Sequence, residues 1–77
     1  MDVTKKAKEL GIAIRQRRKS LNLSQEDLSR LAECGPLFII QLEAGKPTIQ
    51  LGKVLAVLHV LGLQLRLESG HEGIVVS

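Results

Sequence analysis

Residues 63–68, Leu-Gln-Leu-Arg-Leu-Glu, alternate apolar and polar side chains, whereas the chain before them repeats at helical spacing. Period two marks a strand with one buried face. One strand cannot satisfy its own backbone N–H and C=O groups, and even an isolated hairpin is marginal in water. No other segment of the 77 residues has strand character of this quality. Gly73-Ile74-Val75-Val76-Ser77 could pair with it only weakly, so residues 69–77 read as a flexible C-terminal tail. Three partners remain. A second copy can lay down the same strand antiparallel, forming a two-stranded ribbon with its leucines toward the helices. The segment can instead press on its own core as an extended tail, or a different protein can supply the pairing strand. The second copy is the simplest, and it puts Leu63, Gln64, Leu65, Arg66 and Leu67 at a dimer interface.

Size points the same way. A domain this small buries only about 60% of the surface its unfolded chain exposes, so outside support is expected. Cys34 is the only cysteine, which excludes an internal disulfide and a Cys-rich zinc site and leaves oligomerisation. One unpaired thiol and no secretory signal suggest the cytoplasm. The apolar run around residues 54–63 is too short to span a bilayer.

The net charge of +3 is unevenly placed: Lys5, Lys6, Lys8, Arg15, Arg17, Arg18 and Lys19 face only Asp2 and Glu9 in the same stretch. Such a cationic amino-terminal half suits a polyanionic partner, although a solvated helix face accounts for the same charges. The chain has one Phe and neither Trp nor Tyr. It therefore lacks the aromatic platforms of single-strand binders, and duplex DNA is the nucleic acid it fits.

Val3, Ala7, Leu10 and Ile14 predict a first helix over 4–19. Ser24, with Asp27 three residues on, opens a second as a capping box, with Leu28, Leu31 and Ala32 inward, running to about Glu33. Pro36 suits the first position of a third helix, which runs to about Ala44 and stops at Gly45 and Pro47. Thr48 caps a fourth over roughly 49–61, with Leu51, Val54, Leu55, Leu58 and Leu61 inward and Gly62 at its end. The third helix carries Leu37, Phe38, Ile39 and Ile40 in a row. On a 3.6-residue wheel the run divides. Ile39 and Leu42 face Leu28 and Leu31, Leu37, Ile40 and Gln41 point away, and Phe38 lies at the border. Apolar side chains can meet thymine methyls in a major groove, and Gln can pair bidentately with adenine. An apolar protein-contact face fits Leu37 and Ile40 as well.

The segment LSQEDLSRLAECGPLFIIQLEAGK resembles the Xre/lambda-repressor-type helix-turn-helix family, matching its pattern at Gln25, Leu28, Ile39, Glu43 and Gly45. GKPTIQLGKVLAVLHVLGLQLRL resembles HipB-like antitoxins, in which a dimerising strand follows the fourth helix. Together the likeness covers about residues 10–68. It implies a mainly α fold: a four- to five-helix lambda-repressor-like helix-turn-helix domain over 1–68, with a C-terminal strand at 63–68 pairing across a homodimer. Carried over by position, Ser24 and Gln25 meet a phosphate at the start of the second helix. Gly35, Pro36, Leu37, Phe38, Ile40 and Gln41 face the groove, and Lys46 with Arg17 or Arg18 contacts phosphate. Glu43 is expected to pair with Arg15 or Arg18. Two positions depart from the pattern. Glu33 stands where the turn usually has Gly, so the turn is expected to be rebuilt around Gly35. The third helix opens on Gly35-Pro36-Leu37 instead of polar residues.

The sequence offers no catalytic constellation. His59 and His71 are the only histidines and have no matching nucleophile. There is no Gly-rich phosphate loop, and no cofactor or metal is expected. The resemblance implies a repressor of its own operon and antitoxin to a HipA-like kinase toxin, bound to a palindromic operator. The alternatives are a stand-alone phage-type or metabolic repressor, or a helix-turn-helix fold used only as a protein-interaction adaptor.

Overall fold

Local start and stop signals set several of the helix boundaries. The computed structural model describes residues 2–70 and 73–77, in the order α1 (Val3–Ser20), α2 (Gln25–Leu31), α3 (Pro36–Glu43), α4 (Leu51–Leu61), β1 (Leu65–Leu67) and β2 (Ile74–Val76). Asp2 caps α1, its carboxylate accepting the Lys5 N–H at 3.2 Å. Ser24 and Asp27 close the expected capping box on α2, with both reciprocal bonds present. Pro36 stands at the start of α3, and Gly62, left-handed at φ 69°, ends α4. Thr48 does not cap α4. Gln50 occupies that position without a side-chain bond. Ile49, just before the cap, packs against the core that includes Val54, the placement of a hydrophobic staple.

The core gathers Ile14, Leu28, Ala32, Ile39, Leu42, Val54, Val57, Leu58 and Leu61. Two expected stripes are rotated. In α2 it is Ser29 that is buried beside Leu28, while Leu31 is 57% exposed. The Ser29 hydroxyl donates to the Glu26 carbonyl at 2.7 Å, so a small polar residue lies inside without an unpaired group. In α4 the buried row is Val54, Val57, Leu58 and Leu61, and Leu51 and Leu55 are left in solvent. Eight of the eleven residues of α4 are apolar (Leu51, Val54, Leu55, Ala56, Val57, Leu58, Val60 and Leu61), so periodicity alone permits more than one inward arc. Packing selects the arc that i, i+3, i+4 and i+7 share with α1 and α2.

The strand finds its first partner inside the chain. β1 and β2 form an antiparallel two-stranded sheet with Leu65 opposite Val76, Arg66 opposite Val75 and Leu67 opposite Ile74. Within the segment expected as a loose tail, residues 73–77 thus return along β1. Two features favour this: Gly70 and Gly73 adopt positive φ, as the reversal needs, and Ile74-Val75-Val76 is a β-branched run. Leu65 and Val76 pack against the helical core, which supplies the support an isolated hairpin lacks. His71 lies outside the described residues. No helix among those described is long and apolar enough to cross a membrane.

Helix α1 meets the end of α3 backbone to backbone. A Cβ added at Gly11 would stand 2.6 Å from the Leu42 carbonyl oxygen and 2.7 Å from that of Glu43. The obstruction is main chain and cannot swing aside. Gly11→Ala should therefore destabilise the protein by about 1–3 kcal/mol, as overpacking does, despite the roughly 0.5–1 kcal/mol that alanine gains over glycine in an open helix. Urea denaturation followed by circular dichroism reads the sign.

Candidate nucleic-acid interface

The turn between α2 and α3 sets the angle of the outward helix. It is a Schellman-type closure: the Glu33 N–H donates to the Arg30 C=O at 3.2 Å and the Cys34 N–H to the Ser29 C=O at 2.9 Å. The left-handed residue is Glu33, at φ 55°, while Gly35 is ordinary extended backbone. The expected rebuilding around Gly35 does not occur. The turn keeps its usual position and bears the cost of a non-glycine residue there, roughly 1 kcal/mol.

Beneath the turn, one carboxylate ties three elements together. Arg18 of α1 is 7% exposed. Its Nε donates to Glu43 Oε2 at 2.7 Å and Nη2 to Oε1 at 3.0 Å, while Nη1 donates to the Leu23 carbonyl at 2.8 Å. Gln25 Nε2 also donates to Glu43 Oε1, at 3.1 Å. The hydrogen bond to Glu43 pushes the Arg18 pKa upward, partly opposed by desolvation. Of the two expected partners of Glu43, Arg18 is the one used, and its guanidinium is thereby spent inside the fold and withdrawn from any phosphate. Arg17 is engaged too: its Nε donates to the Leu61 carbonyl at the end of α4, at 2.9 Å. The cations left exposed on α1 are Lys5, Lys8, Arg15, Lys19 and the remainder of Arg17.

The outward face of α3 follows the wheel at Leu37 and Ile40, while Gln41, expected to point away with them, is only partly exposed. Ile39 and Leu42 are buried, Leu37 is 63% and Ile40 48% exposed, and Gln41 and Phe38 are half-buried. Gly35 and Pro36 are exposed at its start, and Lys46 is exposed just past its end. Ser24 is exposed at the start of α2, and Gln25 beside it is half-buried, drawn inward by Glu43. One contact had no signal in the sequence: Lys53 Nζ sits 5.6 Å from the centre of the Phe38 ring, a cation–π distance, which adds a positive charge beside α3. Only packing could bring these separate elements together. Asp27 is held below the usual carboxylate range by the backbone N–H and hydroxyl of Ser24, which bond its charged form. Burial pushes the Cys34 thiol up, with Lys53 pulling back, so the thiolate that redox chemistry needs is disfavoured. His59 is exposed on α4. Among the described residues no group of His, Cys, Asp and Glu could hold a metal ion.

Two outcomes follow for the positioning network. Glu43→Ala leaves the Arg18 charge buried without its carboxylate and should cost about 3–5 kcal/mol, whereas replacing both residues by apolar ones of similar volume should cost far less. Equilibrium denaturation of the single and double variants measures the difference. At the turn, Glu33→Gly should raise stability by up to about 1 kcal/mol, seen as a higher urea midpoint at unchanged slope.

A helix-turn-helix family profile matches residues 14–67, which contain α2, the turn, α3 and α4. The chain is also 49% identical over 57 residues to the uncharacterised HTH-type transcriptional regulator y4mF of Sinorhizobium fredii, a match covering 74% of this chain and 75% of that protein. With the geometry above, these place the chain in the helix-turn-helix family of Xre/lambda-repressor type, a family of DNA-binding transcription regulators.

Proposed function

We propose that the protein is a sequence-specific repressor that binds duplex DNA as a homodimer, with α3 in the major groove. The observation that carries this reading is the outward face of α3. Leu37 and Ile40 stand exposed beside Gln41, on a helix fixed from beneath by the Arg18–Glu43–Gln25 network. A protein core has no use for two uncovered branched side chains there. A groove offers thymine methyls to them and an adenine edge to Gln41. Gly35, Pro36 and Phe38 flank this face. Ser24 and Gln25 lie where a phosphate would meet the start of α2, and Lys46 supplies a second phosphate contact. Arg17 keeps donors free for a third, while Arg18 acts by holding Glu43.

The homodimer is joined through residues 63–67. Its two α3 helices would address half-sites roughly 34–36 Å apart, one turn of the duplex, on a palindromic operator. The finer role, antitoxin to a HipA-like kinase toxin and repressor of the shared operon, rests on the resemblance of residues 45–67 to HipB-like antitoxins. Co-expression with the neighbouring gene tests it: a toxic neighbour rescued by this chain supports the antitoxin, and a harmless one points to a repressor that works alone.

Fluorescence anisotropy with upstream DNA tests the groove assignment. Gln41→Ala should lose about 1–3 kcal/mol on the preferred site and little on unrelated duplex. Lys46→Ala should weaken both alike and reduce the salt slope by about one. If Leu37→Ala and Gln41→Ala leave DNA binding intact but abolish binding to a protein partner, the fold serves as an adaptor.

A further inference from the structure

Phe38 is the chain's single phenyl ring, and neither Trp nor Tyr accompanies it. Its place on α3 is defined by the helical turn. Leu37 and Ile40 face outward and Ile39 and Leu42 inward, which sets Phe38 and Glu43 on opposite flanks of the outward face. The two flanks are built differently. On one, Glu43 ties α3 to Arg18 and to Gln25 at the start of α2. On the other, the ring meets the first turn of α4, where the Lys53 ammonium lies 5.6 Å from its centre. Lys53 is exposed, and among the described residues no carboxylate pairs with it. Its charge is also felt at Cys34, two residues before α3, where it opposes the effect of burial on the thiol. The ammonium therefore stands beside the opening turn of α3.

A cation–π contact at an exposed site stabilises a fold by only about 0.5–1 kcal/mol. It also leaves the donors of the ammonium available, since the ring face accepts charge and takes no N–H in particular. Its larger effect is on freedom. A lysine side chain carries about 2 kcal/mol of rotamer entropy, and a head already rested on a ring loses less of it when a further contact forms. A helix lying in a major groove has a phosphate strand on each side. With α3 so placed, the strand on the Glu43 flank meets the start of α2, and the strand on the Phe38 flank meets Lys53. Resting on the DNA-binding reading above, we infer that Lys53 takes a backbone phosphate on this second strand, and that Phe38 is the positioning residue that aims it and does not itself read a base. The grip on the duplex then comes from both sides of α3, and the flank without α2 is served by a lysine set in advance by an aromatic ring.

Fluorescence anisotropy of the full chain on its preferred duplex, repeated over a series of salt concentrations, tests both roles. Lys53→Gln keeps much of the stem and removes the charge. It should reduce the slope of log K against log salt by about one and weaken preferred and unrelated duplexes alike. Lys53→Arg, which also stacks on rings and binds phosphate, should keep the slope. Phe38→Leu keeps an apolar side chain and the Lys53 charge. It should weaken binding about two- to fivefold, the equivalent of the lost ring contact, leave the preference between duplex sequences unchanged, and add nothing further in the Lys53→Gln protein. A Lys53→Gln protein with the full salt slope overturns the phosphate contact. A Phe38→Leu protein that prefers a different sequence, or whose loss adds in full to that of Lys53→Gln, overturns the positioning role. A parent chain that binds no duplex at all overturns the DNA-binding reading itself.

Discussion

A guanidinium and a carboxylate buried together decide how this fold is assembled. The Arg18 and Glu43 side chains, 25 residues apart, are 9% and 4% exposed and meet at 2.7 Å. Taking two charges out of water is expensive, and the pair offsets that cost only if its geometry is good and its other donors and acceptors are met. Both conditions hold. The guanidinium grips both carboxylate oxygens and spends a further donor on the Leu23 carbonyl, and no buried side-chain polar atom among the described residues lacks a partner. The value of such a pair lies in what it forbids. Sliding α3 along α1 would strand a charge in an apolar interior. Gly11 reinforces this from the other side, because α1 rests directly on the last carbonyls of α3.

Features governed by neighbours in sequence were readable before any coordinates. The Ser24–Asp27 box, Pro36 at the head of α3, Gly45 and Gly62 as stops, and the division of the Leu37–Ile40 run into inward and outward halves are all local chemistry or helical geometry. So was the pairing of Glu43 with an arginine of α1, although the sequence left Arg15 and Arg18 equal. Only the buried position of Arg18 separates them.

What escaped the sequence depends on competition between distant surfaces. Leu31 and Ser29 exchange the roles their polarity suggests, and the Ser29 hydroxyl is buried without penalty because it bonds its own helix. In α4, apolar residues ring most of the helix, and only the shape of α1 and α2 selects Val57 over Leu51 and Leu55. The hairpin is the clearest case. The alternation of residues 63–68 announced a strand in need of a partner, but the return of 74–76 depends on two left-handed glycines and on a core already present to receive it. Glu33 shows the converse: a poor residue is retained in a left-handed turn because the surrounding bonds over-determine the backbone.

Gln25 shares its carboxylate partner with Arg18, and this has a mechanical corollary. The start of α2 is tied to the last residue of α3 through Glu43 Oε1, an oxygen that Arg18 also holds, so the motif is a braced bracket and not a pair of jointed rods. A bracket cannot rock to follow a duplex whose groove is slightly too wide or too narrow. In the proposed complex the accommodation would fall to the nucleic acid, and the energy of bending or twisting each base step would enter the binding free energy. Preference could then arise at base pairs that no side chain touches, written in the stiffness of the helix being gripped.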